Sequence, residues 1–220
     1  MLDARLSAAC DLFPACEMGA DIGADHGKLA LQLIKTGKCT QIQVTDLSPA
    51  SLEKARKLFE REGLSDRALF LCGDGFSALT KPAQAAVIMG MGGNTICQIL
   101  ERKTPFFQNG ELILSPHTDI PSVRKELYAL GYAIADEIVA CSAGRFYVLI
   151  RAKAENPRQQ QPLSERLSVL GPVLLRKKDD PLVRRYYLWQ RDVLQLRRDE
   201  AARQWLSWID SWIEESGNTV

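Results

Sequence analysis

The chain reads as an α/β protein: a mostly parallel, Rossmann-like sheet with helices on both faces, an antiparallel hairpin at its end, and a helical appendage. Three observations predict this. Strand and helix patterns alternate through the first two-thirds of the 220 residues, as parallel strands joined by helical crossovers do. The first apolar strand breaks on a glycine-rich, acidic turn, Met18-Gly-Ala-Asp-Ile-Gly-Ala-Asp-His-Gly27. No strand pattern follows residue 155.

The elements follow in order. The turn runs into a helix from Lys28 to about Thr36. Gln41 to Thr45 is a short apolar strand ending at Asp46. Ser48-Pro49 is a helix start, a capping hydroxyl followed by proline in the first turn, with Leu52, Ala55, Leu58 and Phe59 on one face and Gly63 as the stop. Ala68 to Cys72 is a third strand, closed by Gly73-Asp74-Gly75, and Ala85 to Met89 a fourth, closed by Gly90-Met-Gly-Gly93. A helix over Thr95 to Lys103, a strand over Glu111 to Leu114 and a helix over Pro121 to Leu130 continue the alternation. Tyr132 to Val139 and Phe146 to Ala152 form a hairpin around Ser142-Ala-Gly144.

Composition changes at 155–162, a polar, proline-flanked stretch read as a linker between a domain at 1–154 and a helical region at 163–220. Leu163 to Arg176 is helical with a break near Gly171-Pro172. Asp179-Asp180-Pro181 starts a long helical stretch in which Trp205, Trp208, Ile209, Trp212 and Ile213 recur at the 3/4 spacing of an amphipathic helix.

Bulk properties bound the function. Formal net charge is +1, which argues neither for nor against a nucleic-acid partner. The six cysteines form no CxxC pair, and only two histidines are present, so neither a disulfide framework nor a metal site is expected. No secretory signal and no membrane-spanning apolar run is visible, so a cytoplasmic chain with no membrane partner is expected. Charge is uneven, however. Residues 1–150 carry 15 Lys and Arg against 17 Asp and Glu, while residues 176–203 carry nine against five. That basic cluster, beside Tyr186, Tyr187 and Trp189, suits contact with a phosphate backbone, although charge alone favours a solvated helix face.

A glycine turn after a first strand lets a nucleotide-like ligand approach the backbone. Here the turn carries Asp21 and Asp25, which would repel a pyrophosphate and suit hydroxyl, ammonium and sulfonium groups. Asp46 ends the second strand about 20 residues on, where a carboxylate can take ribose hydroxyls. Asp74, between Gly73 and Gly75, can meet an adenine amino group. The carboxyl ends of parallel strands line one crevice. Four ligand-grade strand ends in one crevice point to S-adenosylmethionine rather than NAD or ATP.

Ala20-Asp-Ile-Gly-Ala-Asp-His26, Gly73-Asp-Gly75 and Gly90-Met-Gly-Gly93 together resemble the bacterial tRNA N1-adenine methyltransferases that modify adenine 22. The resemblance extends to Leu2 to Leu6, Ser115-Pro116-His117, Phe146-Tyr-Val-Leu149 and Leu170-Gly-Pro172, nearly the whole chain. It implies a class I methyltransferase fold with a coiled-coil-like tail that helps hold tRNA. It implies cofactor contacts at Asp21, Gly23, Asp46, Asp74 and Gly75, and Asp25, Leu47 and Gly90 are expected to contact the cofactor beside them. Arg5 matches a family position and, with Lys177, Lys178, Arg184, Arg185 and Arg191, is expected to contact RNA. Gly90-Met-Gly-Gly93 stands where many amino-methyltransferases carry an (Asn/Asp)-Pro-Pro-(Tyr/Phe) motif that holds an exocyclic amine, and the absence of that motif fits attack by a ring nitrogen. The chain departs from the family pattern in a shorter tail after Gln195 and in Asp46 where Glu is usual.

Methylation makes the adenine ring cationic, so a carboxylate or neutral imidazole near it is useful. Asp25 and His26 are the first candidates, Asn94 and His117 the second. A helix-capping role is the plain alternative for His26. The competing functions are a small-molecule S-adenosylmethionine-dependent methyltransferase whose helical tail is a lid or dimer element, and a non-catalytic adenosyl-binding module. A monomer or weak homo-oligomer is expected.

Overall fold

The structure, a computed structural model, describes residues 3–102, 104–155 and 162–217. Five parallel strands form most of one sheet: β1 (Cys16–Ile22), β2 (Cys39–Asp46), β3 (Ala68–Cys72), β4 (Ala85–Met89) and β5 (Glu111–Ser115). β6 (Tyr132–Ser142) and β7 (Arg145–Ala154) complete it in the order β3-β2-β1-β4-β5-β7-β6. Only β7 runs against the rest. It inserts between β5 and β6, so the hairpin supplies one antiparallel strand and an outer strand that again runs with the others.

Helices α1 (Ala4–Leu12), α2 (Lys28–Lys35) and α3 (Pro49–Arg61) cover one face. α4 (Gly93–Glu101) and α5 (Ile120–Ala129) cover the other. Local chemistry sets their starts. Asp3 accepts from the Leu6 N–H, and Ser48 accepts from the Ser51 N–H ahead of Pro49. The sequence reading missed α1, although Asp3 stands as its cap. The helix placed over Thr95 to Lys103 begins two residues earlier, because Gly93 must pass close to the turn after β5. A Cβ there would lie 2.6 Å from the carbonyl oxygens of Thr118 and Asp119. Lys103 itself lies outside the described residues.

The C-terminal region is α6 (Glu165–Leu170), a 3-10 turn (Leu174–Arg176), α7 (Pro181–Gln195) and α8 (Glu200–Gly217). Asp180 caps α7 by accepting from the Leu182 and Val183 N–H groups. α7 and α8 form an antiparallel hairpin, with Arg184 reaching the Ile213 carbonyl and Arg197 lying over Trp205. The hairpin packs onto the sheet. Leu174, Val183, Tyr186, Tyr187, Ile209 and Trp212 are buried in one cluster with Ile88, Leu112, Leu114 and Ile150. The stretch read as a linker falls mainly on 156–161, outside the described residues. No helix among the described residues is long and apolar enough to cross a membrane.

Candidate functional site

The strand order reverses between β2-β1 and β4, and parallel register aligns the carboxyl ends of β1 through β5. Ile22 lies beside Thr45 and Ile88, Asp46 beside Cys72, and Met89 beside Ser115. Loops leaving a sheet at such a reversal diverge and open a crevice. Here the crevice is a cavity of about 520 Å³ lined by Asp21, Gly23, Asp25, His26, Asp46 and Asp74. Leu47, Gly75, Gly90, Arg5 and His117 also line it. Every cofactor position read from the sequence therefore reaches one cavity.

Asp46 is the best-prepared group. Its Oδ2 accepts from the Asp25 N–H at 2.9 Å and its Oδ1 from the Ser48 N–H at 2.8 Å. Two backbone donors fix the carboxylate and leave lone pairs for hydroxyl donors of a ligand. Asp25 holds φ +50°, a left-handed conformation that Asp tolerates better than most residues. The His26 Nδ1–H donates to Asp25 Oδ2 at 2.6 Å, and both side chains are substantially exposed to the cavity mouth. Gly23, at φ +70°, leaves room for Met91, whose Cε would sit 2.0 Å from an added Cβ.

Asp21 lies within β1, not in the turn after it where the sequence reading put it. It is 5% exposed, and its Oδ2 has no hydrogen-bond partner among the described residues. Burial pushes its carboxyl up to about 7. The Ala30 N–H opposes that shift, and the negative charge of Asp46 adds to it. A folded-state value raised this far means that stability is fully present below the unfolded value and falls away as pH rises through about 7. Asp21→Asn should therefore be more stable than the wild type at pH 8, by up to about 4 kcal/mol, with the difference shrinking as pH falls toward 4. Urea unfolding of both proteins across that range measures it. Parallel stability–pH curves would assign Asp21 a neutralising partner instead.

Other placements differ from the sequence reading. Asn94 is the second residue of α4 and is exposed outside the cavity lining, because the helix presents Thr95 and Ile99 to the cavity and Asn94 lies off that face. His117 does line the cavity, but its Nε2 is 3.0 Å from the Arg5 guanidinium. A guanidinium only donates, so Nε2 accepts. Burial first, then the Arg5 and Arg145 charges, hold His117 below its usual range and keep it neutral. It thus positions Arg5, which also lies 5.1 Å from the Tyr147 ring centroid. Asp74 pairs with Arg102, a partner far along the chain that spacing could not indicate.

The basic cluster divides in the same way. Lys177 donates to Asp136 Oδ1 at 2.8 Å and to the Glu137 carbonyl at 2.7 Å. Lys178 pairs with Glu215 at 2.9 Å. Arg184 and Arg191 are half-buried along α7. Arg185 is exposed, 5.8 Å from the Phe146 ring. Lys177 and Lys178 thus fasten the appendage rather than stand free for phosphate, since the turn before α7 lies against β6 and α8. Arg5 and Arg185 are the predicted RNA contacts left facing outward or into a cavity.

An open sheet with a switch-point cavity lined by carboxylates, and a glycine turn in place of a phosphate-binding loop, defines a Rossmann-like methyltransferase of class I. Residues 2–150 match the family model for the methyltransferase domain, and the chain belongs to that family. It is 28% identical to the tRNA (adenine(22)-N(1))-methyltransferase of Bacillus subtilis, over 84% of this chain and 79% of that one. It is 32% identical, over 76% of this chain and 77% of the other, to a Mycoplasma pneumoniae protein regarded as a tRNA methyltransferase. Its fold matches that of a Streptococcus pneumoniae protein regarded as a tRNA (m1A22) methyltransferase and solved with S-adenosyl-L-methionine. The TM-score is 0.86 at 24% identity, covering 97% of this chain and 100% of that one.

Proposed function

We propose that this chain transfers a methyl group from S-adenosylmethionine to N1 of adenine 22 in tRNA. The observation that carries the reading is the meeting of Asp21, Asp46 and Asp74 at one cavity in a member of the methyltransferase-domain family. The Bacillus subtilis relative supplies the substrate and position. The residues suit the cofactor. Asp46, fixed by two N–H groups, would accept from ribose hydroxyls. Asp74 would take the adenine amino group. Asp21, whose Oδ2 lacks a partner among the described residues, would offer a carboxylate to the cationic group.

Bound S-adenosylmethionine supplies an activated methyl group. The chain's own part is to hold and align. The target base must leave its stack to reach the cavity. The Gly90 side of the cavity is open, with nothing within 4 Å of a notional Cβ, so a flat ring can approach there. Asp25 and His26 stand at the mouth, where a carboxylate offsets positive charge arising on the ring and the imidazole can accept a proton from the exocyclic amine. Holding base and donor in line is the main source of acceleration. Arg5 and Arg185 contact the tRNA backbone. The compartment that holds tRNA, the cytoplasm, is where the reaction would run.

Mass spectrometry of nucleosides from unmodified tRNA, incubated with the protein and labelled S-adenosylmethionine, tests the reading. Labelled 1-methyladenosine at position 22 is the expected product. Methyl transfer only to small molecules would replace this substrate with the small-molecule alternative. No transfer, with intact cofactor binding, would leave a binding module.

A further inference from the structure

A second cavity, of about 360 Å³, opens beside the first and shares His117 with it. It lies where the turn after β5 meets β7 and the helical hairpin. Its aromatic lining is Phe146, Tyr186, Trp189 and Trp205. The rings of Phe146, Tyr186 and Trp189 form a cluster with centroids 5.8–6.1 Å apart. Tyr186 is buried, but Trp189 is 45% exposed. Tryptophan is highly buried on average, and this one keeps nearly half of its surface exposed on the cavity lining.

One cation stands at the cluster and another at the Trp205 side of the cavity. Arg185 lies 5.8 Å from the Phe146 centroid, and Arg197 lies 5.9 Å from that of Trp205 while held by both Asp199 oxygens. Exposed aromatic faces flanked by guanidinium groups are the chemistry that binds unpaired nucleobases and their phosphates. His117 stands in both linings and holds Arg5 on the side of the first cavity.

Flipping a target base out of its stack leaves its neighbour without a stacking partner. Resting on the tRNA reading above, we propose that the second cavity receives the nucleobase adjoining the target adenine. It stacks against Trp189 and Phe146, with the linking phosphate at Arg5. The aromatic shelf replaces the stacking that flipping removes, and the shared wall spaces two successive nucleotides.

The test compares Trp189→Leu, which keeps apolar bulk but has no aromatic face, with Trp189→Phe. Methylation of unmodified tRNA is measured along with affinity for S-adenosylhomocysteine, melting temperature and oligomeric state. Trp189→Leu should raise KM for tRNA about tenfold or more, the scale of one lost stacked base. Its rate at saturating tRNA, cofactor affinity and melting temperature should stay near those of the wild type. Trp189→Phe should restore most of the loss. A wild-type KM in Trp189→Leu, or equal losses in both variants, overturns the proposal while leaving tRNA methylation standing. So does a change of oligomeric state with unchanged tRNA affinity, which would make the shelf a contact between copies of the chain. A wild-type protein that methylates no tRNA overturns the underlying reading and the proposal with it.

Discussion

Asp25→Asn and His26→Ala are each expected to lower single-turnover methylation of tRNA by about a hundredfold or more, with cofactor affinity kept within about tenfold. The two side chains share a 2.6 Å hydrogen bond at the cavity mouth. The peptide N–H of Asp25 anchors Asp46 whatever its side chain becomes. Asparagine tolerates the left-handed backbone at position 25, so Asp25→Asn removes charge with little change of shape. A carboxylate there stabilises a cationic methylated ring, and asparagine does not. Rapid-quench measurement with saturating cofactor separates the chemical step from binding. Near-wild-type rates in both variants would reduce the pair to a helix-start contact, leaving positioning and backbone groups of residues 90–93 to drive the reaction.

Arg124→Leu is expected to destabilise the protein by about 3–5 kcal/mol, the cost of leaving a buried charge without its partner. Arg124 and Glu137 are both fully buried, with Arg124 Nε 2.7 Å from Glu137 Oε1. The pair joins three parts of the chain. Arg124, on α5, donates to the carbonyls of Ser168 and Val169 at 2.7 and 2.9 Å. Glu137, on β6, accepts from the N–H groups of Val173 and Leu174 at 2.9 and 3.2 Å. Sheet, helix and appendage are thus fastened at one point. Because the damage comes from the orphaned carboxylate, Arg124→Leu with Glu137→Gln should recover part of the loss. Urea unfolding of the three proteins decides. A single-variant loss below about 1 kcal/mol would mean that water reaches Glu137 once the guanidinium is gone.

Much of the site was legible because it is local. The turn through Gly23 and Asp25 and the acids at the ends of β2 and β3 are each set by residues adjoining a strand end. A parallel sheet brings adjoining strand ends together whatever the loops do. Ser48-Pro49 and Asp180-Pro181 marked helix starts for the same reason, since a cap acts within one turn. The misses share the opposite cause. Asn94 was placed by proximity in sequence, but helix periodicity turned it to solvent. His117 was read as a second-choice catalytic candidate, but Arg5, 112 positions away, holds its Nε2. Lys177 and Lys178 were counted as free charge, and their partners Asp136 and Glu215 stand far along the chain.

By itself the sequence determined the strand–helix alternation, the cavity's acidic strand ends and the family, all of which rest on short-range patterns and on motifs. Only the tertiary structure decided which charges are free. It inserted β7 between β5 and β6, so that of the hairpin only β6 is an edge strand, buried the Arg124–Glu137 pair, and left Trp189 facing a second cavity. The physical reason is that a charge or an aromatic face is defined by what stands opposite it. In this chain that neighbour comes from a distant segment brought close by the shared core of the sheet and the helical hairpin.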